Sequence, residues 1–403
     1  MTPKGDRDDK LARLRAQLPA VTATGYFNAG TNGPVPLPAQ EALLCATAQE
    51  LERGRIMPGL YEGSGERNAR VRELVAGIVN VDPPEIALTH STSEGLSAVL
   101  NGLHWRRGDE IVTTNLEHPG LLAPLGLLAH RFGVVIRNAD IGCGSAGVAE
   151  AIAAAFTPRT RVVALSHVMW STGAVISLRE VSEVAHRRGI MVVVDAAQAA
   201  GHIPVDLHAL EVDAYAMAGQ KWLCGPDGTG ALYVHRDRIG EIQPTFLRYA
   251  QIDPYGYVLP APGAMRYEVG EFYGPAIAAQ QAALAWFRDD VGPAWAYERT
   301  ATLGRRCRDG LAALPGVEVI TPEEKMAGLV AFSAQGVTPT RMAEAVYDRG
   351  HTIRPVDYPP GRSAARISTA WWATEQEVDA LVADIGEVAS LAAAGPDAGP
   401  GRS

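Results

Sequence analysis

Through the middle of the chain, short runs of apolar and β-branched residues alternate with stretches of helical periodicity. Ile86-Ala87-Leu88-Thr89, Glu110-Ile111-Val112-Thr113, Val134-Val135-Ile136, Val162-Val163-Ala164-Leu165 and Met191-Val192-Val193-Val194 read as strands. Segments such as Leu178 to Arg188 carry the helical pattern between them. Buried strands alternating with helices predict a largely parallel sheet covered on both faces. Ahead of these, a polar arm with one short helix, Leu11 to Leu18, leads to Tyr26-Phe27-Asn28. A loop from Gly30 to Pro38 follows, where glycines permit positive φ and prolines stop regular structure.

Downstream, Pro244 to Gly263 is rich in Pro, Gly and Tyr, which predicts an excursion near an active site or a subunit interface. A long helical pattern then runs from Pro275 to Leu314. Strands near Val317 to Ile320 and Leu329 to Phe332 come next, with helices Pro339 to Arg349 and Thr374 to Leu391 framing a last strand, Ala365 to Ser368. The expected organisation is an arm over 1–25, a large α/β domain over 26–274 and a smaller α+β domain over 275–391. An Ala/Gly/Pro tail over 392–403 reads as disordered.

A length of 403 residues suits more than one domain, and a hydrophobic share of 47% provides for a sizeable interior. The formal net charge of −9 lacks the basic excess of a nucleic-acid-binding protein. Cys45, Cys143, Cys224 and Cys307 form no CxxC pair and no metal spacing, which points to a reducing compartment and no metal. No apolar run approaches the length of a membrane span, and Met1 to Gln17 lacks a signal-peptide core. The expectation is a cytoplasmic protein without membrane or nucleic-acid partners.

The chemistry concentrates at Ala218-Gly219-Gln220-Lys221-Trp222-Leu223-Cys224-Gly225-Pro226, a lysine at a glycine-rich turn before the strand Ala231 to Val234. Upstream, Val192-Val193-Val194-Asp195 is an apolar strand ending in a carboxylate, where open α/β sheets bind ligands. A carboxylate and a lysine so placed are what pyridoxal 5′-phosphate (PLP) chemistry needs. The acid keeps the pyridine nitrogen protonated, and the ring then accepts electrons from a substrate carbanion. Ser91-Thr92-Ser93-Glu94-Gly95 sits at a helix start, where hydroxyls and free N–H groups suit a phosphate. His118, in Asn115-Leu116-Glu117-His118-Pro119, is an imidazole that could stack on a ring and exchange protons.

The ordered set Tyr26-Phe27-Asn28, Thr92-Ser93-Glu94-Gly95, Glu117-His118-Pro119-Gly120, Asp195-Ala196-Ala197-Gln198 and Lys221-Trp222-Leu223-Cys224-Gly225-Pro226 resembles class V of the fold-type I PLP enzymes, from about Tyr26 to Leu391. That group includes cysteine desulfurases, isopenicillin N epimerase and cysteine/cystine C–S lyases. The resemblance implies a homodimer with sites at the subunit interface. It implies Lys221 as the cofactor lysine and proton shuttle, Asp195 on the pyridine nitrogen, Gln198 on the 3′-oxygen and His118 stacked on the ring. Thr92 and Ser93 would hold the phosphate, with Glu94 and Gln220 in the same cofactor set. Arg366 would grip the substrate carboxylate, its planar fork suiting two-point contact, beside Asn28 and Trp170.

Within that family, desulfurases carry a cysteine on a C-terminal loop, and Gly350 to Arg366 contains none. Leu165-Ser166-His167-Val168-Met169-Trp170-Ser171-Thr172-Gly173, with tryptophan before a small polar residue and Thr-Gly, resembles the C–S lyases instead. The leading expectation is β-elimination from cysteine or a cysteine S-conjugate to thiol or persulfide, pyruvate and ammonia. The alternatives are α-carbon chemistry (decarboxylation coupled to deamination, epimerisation or transamination) and a non-catalytic PLP-fold binding protein. Ala218, Gln220 and Glu271 depart from the family's phosphate-site residues, and Glu271 would bring negative charge toward a dianion. Those changes suit a specialised biosynthetic enzyme acting on a large amino-acid conjugate.

Overall fold

A computed structural model describes residues 4–56, 58–247, 251–358 and 361–393. Its centre is a seven-stranded sheet in the order Ile86–Thr89, Gly230–Val234, Ala214–Ala218, Met191–Asp195, Thr160–Ser166, Glu110–Thr114, Val135–Ala139. Gly230–Val234 runs antiparallel to both neighbours, and the other strands share one direction. Alternate residues divide between two cores. Val192 and Val194 pack on one face with Val163 and Leu165, whereas Met191 and Val193 pack on the other with Val162 and Ala164. Both faces are therefore covered, as the unbroken apolar runs require. The helix Leu178–His186 shows how: Leu178, Val181, Ser182 and Ala185 are its buried stripe.

Ala214–Ala218, which leads straight into Gly219-Gln220-Lys221, is a strand the hydrophobic pattern does not announce. Its sequence, AYAMA, lacks β-branched residues and is held by burial between neighbours. The Pro275 to Leu314 pattern is two helices, Gly274–Trp286 and Pro293–Ala312, separated by a π-turn over Phe287–Val291 and by Gly292 at φ 77°. Pro293 occupies the first turn of the second helix, where its missing N–H costs nothing.

The C-terminal region forms a four-stranded antiparallel sheet in the order Val317–Val319, Leu329–Ala334, Arg362–Ser368, Arg354–Tyr358. Its own core unites Leu303, Cys307, Val330, Phe332, Ile367, Leu381 and Ile385. The N-terminal segment joins this region: Gly25–Tyr26 pairs with His351–Thr352, and Asn28 bridges to Ser368. The last helix, Glu375–Ala393, takes in the first two residues of the expected tail, and 394–403 lie outside the described residues. No helix among the described residues is long and apolar enough to cross a membrane.

Candidate active site

The strands of common direction end together, and the candidate residues follow those ends. Ile86–Thr89 leads to Thr92, Glu110–Thr114 to Glu117 and His118, Thr160–Ser166 to Trp170, Met191–Asp195 to Asp195 itself, and Ala214–Ala218 to Lys221. This is the rim where parallel sheets collect ligands.

Asp195 is buried, and one oxygen accepts the Ala197 N–H at 2.9 Å. Burial raises its pKa, with the Ala197 bond and the nearby Lys221 charge pulling the other way. Burial lowers the Lys221 ammonium to about 8, against the attraction of Asp195 and with help from Arg366 and Arg354. The same cations act on His118: burial first, then Lys221, Arg366 and Arg354, bring it down to about 4. His118 is thus a neutral imidazole near pH 7. Its Nδ1 accepts the Gly120 N–H at 2.9 Å and caps the Pro119–Phe132 helix, which puts the proton on Nε2.

Trp170 stands edge-on to His118, with ring centroids 4.8 Å apart. Its carbonyl accepts Nη1 of Arg366 at 3.0 Å. Arg366 is 2% exposed, and burial together with Arg354 lowers its pKa to about 9. Its Nη2 reaches the Thr31 hydroxyl at 3.4 Å, which in turn donates to Asn28 Oδ1 at 2.7 Å. Gln198 spans the floor: Nε2 donates to the Gly30 carbonyl at 2.7 Å, and Oε1 accepts the Trp222 indole N–H at 2.9 Å. His202 stacks flat on Trp222 with centroids 3.7 Å apart and receives the Gly328 N–H at 2.7 Å.

The Gly30 to Pro38 loop closes over this floor, for a reason other than the expected positive φ. Neither Gly30 nor Gly33 has positive φ. A Cβ at Gly33 would lie 2.0 Å from the Lys221 carbonyl, and one at Gly30 would lie 2.9 Å from Arg366 Nη2. These glycines serve close approach.

At the phosphate end, Ser91 caps the Thr92–Gly102 helix by accepting the Glu94 N–H. Ser93 Oγ lies beside Gly120, next to His118. Glu94 turns to His90, holding its Nδ1 at 2.8 Å, while His90 stacks on Phe272. Glu271 lines a cavity of about 380 Å³ together with Glu50, Arg55 and Arg67. Gln220 gives its carbonyl to the Gly33 N–H at 2.8 Å.

Among the described residues, Thr92 Oγ1, Gln220 Oε1, Trp170 Nε1, Ser171 Oγ and Arg366 Nε are buried without partners. Other unpartnered buried atoms lie elsewhere, Ser182 Oγ and Tyr233 Oη among them, and Glu94 Oε1 is a further one beside Thr92. Buried polar atoms are ordinarily satisfied, so those at this rim leave capacity that a ligand rich in polar groups would meet. A phosphate suits Thr92 and the Gln220 amide, whose two ends can exchange, and a carboxylate suits Arg366. A basic ring nitrogen suits Asp195. The residues present fit PLP and an amino acid.

Residue-by-residue sequence reasoning did not single out Glu117, Thr31 or Arg354. Glu117 is fully enclosed, taking the Thr114 hydroxyl on one oxygen and both the N–H and the hydroxyl of Ser166 on the other. Its place immediately before His118 was the available signal. Thr31 and Arg354 meet the site only through folding.

A family model described as aminotransferase class-V matches residues 54–381. A probable cysteine desulfurase of Methanothermobacter thermautotrophicus is 26% identical over 94% of this chain and 98% of its own length. The isopenicillin N epimerase of Streptomyces clavuligerus is 29% identical over 88% of this chain and 92% of its own. Among solved structures, the cystine C–S lyase C-DES in complex with its product cysteine persulfide superposes with a TM-score of 0.88 and 32% identity. That match covers 92% of this chain and 99% of the other.

Proposed function

The chain belongs to the class-V aminotransferase family of PLP enzymes, and from that premise we propose that it is a carbon–sulfur lyase acting on cysteine or a cysteine S-conjugate. The observation that carries the reading is the convergence of Lys221, Asp195 and Arg366 at one rim. When bound, the cofactor supplies an electron sink for the charge left on Cα.

The chain's own residues account for the other demands. Arg366 holds the substrate α-carboxylate through its unpartnered edge, flanked by Asn28 and Trp170. Lys221 Nζ takes the α-proton, and a pKa near 8 leaves a useful fraction as free amine at neutral pH. Asp195 keeps a proton on the pyridine nitrogen. His118 covers the ring as a neutral imidazole, and Gln198 has one N–H left for the 3′-oxygen. Thr92, Ser93 and Gln220 take the phosphate at the helix start. Glu94, engaged by His90, braces that end of the site.

The Cβ–S bond then breaks with both electrons on sulfur, which leaves as thiol after gaining a proton. Water converts the remaining three-carbon fragment to pyruvate and ammonia. Elimination rather than desulfuration is supported by the hairpin that stands where desulfurases carry their cysteine loop. Tyr358 pairs with Arg362, and the intervening sequence, 359–361, contains no cysteine. The relative named as an epimerase keeps α-carbon chemistry as the second reading.

A homodimer is part of the proposal. Tyr255 is 88% exposed and Tyr257 72% on the Gln251–Leu259 hairpin, and Leu51, Ile56 and Tyr273 are exposed as well, a supply of apolar surface suited to a partner subunit. Four unpaired cysteines support a reducing, cytoplasmic setting.

The test is product analysis with cystine and a panel of cysteine S-conjugates. Thiol (or persulfide) and pyruvate should appear in equal amounts, with no carbon dioxide and no persulfide on any of the four cysteines. An inverted but intact substrate, or carbon dioxide with an aldehyde, rejects the lyase reading.

A further inference from the structure

We propose that His202 is a positioning residue of this site: it holds Gln198 in the one orientation that turns an amide N–H toward the cofactor's 3′-oxygen. The inference rests on the cofactor contact given to Gln198 in the proposed function, and not on which bond of the substrate breaks.

Tight turns after Asp195 bring the His202 ring back to Gln198. The Ala199 N–H returns to the Ala196 carbonyl at 2.9 Å, and the His202 N–H to the Ala199 carbonyl at 3.0 Å. His202 Nδ1 then lies 2.7 Å from the Gln198 carbonyl oxygen, and Nε2 lies 2.7 Å from the Gly328 nitrogen. A carbonyl only accepts and a backbone N–H only donates, so the proton sits on Nδ1 and the lone pair on Nε2. The ring is fully enclosed, and burial brings its pKa down to about 3 against the effect of the Gln198 bond. The same neutral form therefore persists near neutral pH.

These two bonds fix the plane of the imidazole, and Trp222 lies parallel to that plane within 7°, with centroids 3.7 Å apart. The indole N–H, which can only donate, meets Gln198 Oε1 at 2.9 Å. Gln198 cannot exchange the ends of its amide without turning an NH₂ toward that N–H. Its Oε1 belongs to Trp222, and its Nε2 has one hydrogen on the Gly30 carbonyl and one for the cofactor. One imidazole sets both ends of Gln198, the main-chain carbonyl directly and the side-chain oxygen through Trp222, the neighbour of Lys221.

The third anchor belongs to the C-terminal region. Gly328 precedes the strand Leu329–Ala334, in which Ala331 pairs with Arg366, and its carbonyl accepts both the N–H and the hydroxyl of Thr369 at 2.8 Å. A Cβ at Gly328 would lie 2.1 Å from the Thr369 carbonyl and 3.1 Å from His202 Nε2. His202 so ties the cofactor contact to the strand pair that holds Arg366. Filling this space needs only an aromatic ring. Meeting a carbonyl with one edge and an N–H with the other needs a neutral imidazole.

The experiment follows the absorbance of bound PLP in the holoenzyme as a function of pH. A hydrogen bond donated to an oxygen favours its charged form. Gln198→Ala should therefore raise the midpoint of the PLP titration, by about one unit. His202→Phe, which keeps a ring to stack and loses both hydrogen bonds, should reproduce most of that shift. The double variant should shift no further than Gln198→Ala alone, because residues acting through one contact are not additive. Additive shifts, or a His202→Phe that melts at lower temperature with its spectrum unmoved, would mean that His202 only supports the fold, and would overturn the proposal. Where His202→Phe does not fold, Trp222→Phe decides. It keeps the stack and removes the indole N–H, and the absence of a shift there overturns the proposal as well.

An unmoved spectrum in Gln198→Ala removes the 3′-oxygen contact, and the role of His202 with it. The lyase reading is judged separately, on products. Thiol and pyruvate from wild type, with a spectrum indifferent to His202, keep the lyase and reject this inference. A spectrum that follows His202 through Gln198, with no thiol released, does the reverse.

Discussion

Glu117 and Asp195 are two buried carboxylates separated by one residue of the sheet. Ser166 donates its N–H and its hydroxyl to Glu117 while pairing in register with Asp195. Burial is the largest influence on Glu117, and Asp195 adds to it. Together they outweigh the Ser166 and Thr114 bonds and bring its pKa up to about 7. Asp195 is committed to a ring nitrogen under the proposed function, so Glu117 is the partner free to stay protonated.

The folded protein therefore retains a proton that the unfolded chain releases above the ordinary glutamate range. Stability from this group is greatest at low pH, declines as pH rises from about 4.5 toward 7 and is level above that, by at most about 3 kcal/mol. Glu117→Gln, close in shape, removes the titration. Denaturant unfolding at pH 5 and pH 8 should show wild type losing stability relative to the variant across that interval. Parallel curves would mean that Glu117 ionises as an ordinary carboxylate.

Cofactor loading reports on Lys221. Apoenzyme should recapture PLP, followed by its absorbance band, at a rate that rises with pH to a midpoint near 8, because only the free amine attacks the aldehyde. Asp195 holds the lysine pKa up, so Asp195→Asn should move the midpoint lower. Borohydride reduction of holoenzyme should label Lys221, and Lys221→Ala should cut turnover by about a thousandfold or more. A label on another lysine would overturn the assignment.

Arg366→Ala should raise KM for substrates with a free α-carboxylate by about 2 kcal/mol or more, the cost of stranding one member of a desolvated ionic contact. The methyl ester of the same substrate should be nearly indifferent. Equal losses for acid and ester would remove Arg366 from the carboxylate contact.

Gly33→Ala forces a methyl group against the Lys221 carbonyl, 2.0 Å away, at a backbone that already bonds Gln220. The loop must retreat, and the expected results are weakened PLP retention on dialysis and a loss of stability of about 2 kcal/mol. Unchanged PLP retention would show that the loop can move without disturbing the lysine.

Much of this site was legible before folding because parallel sheets gather their strand ends. Once Met191 to Val194 reads as a buried strand, Asp195 has a place, and the same holds for Thr92 and His118. Lys221 was recognised from its glycine-rich surroundings although the strand delivering it, Ala214–Ala218, gave no β-branched signal. Arg354 was illegible because its meaning depends on hairpin register, and a shift of one residue would turn it to the opposite face. Thr31 was hidden for a related reason: its partners Arg354 and Arg366 lie more than three hundred positions away. The long pattern from Pro275 concealed its break because apolar periodicity resumes beyond Gly292.

The pairing of Gly25–Tyr26 with His351–Thr352, and of Asn28 with Ser368, has a consequence for biosynthesis. During translation the segment carrying Asn28, Gly30 and Thr31 leaves the ribosome well before its partners, which lie more than three hundred positions later. A nascent chain can assemble the sheet that carries Asp195 and Lys221 while Asn28 and Thr31 wait unpaired. Under the proposed function, the residues that recognise the substrate come together only after Arg366 and Ser368 have been made, so chains that stop short of them would lack the carboxylate grip.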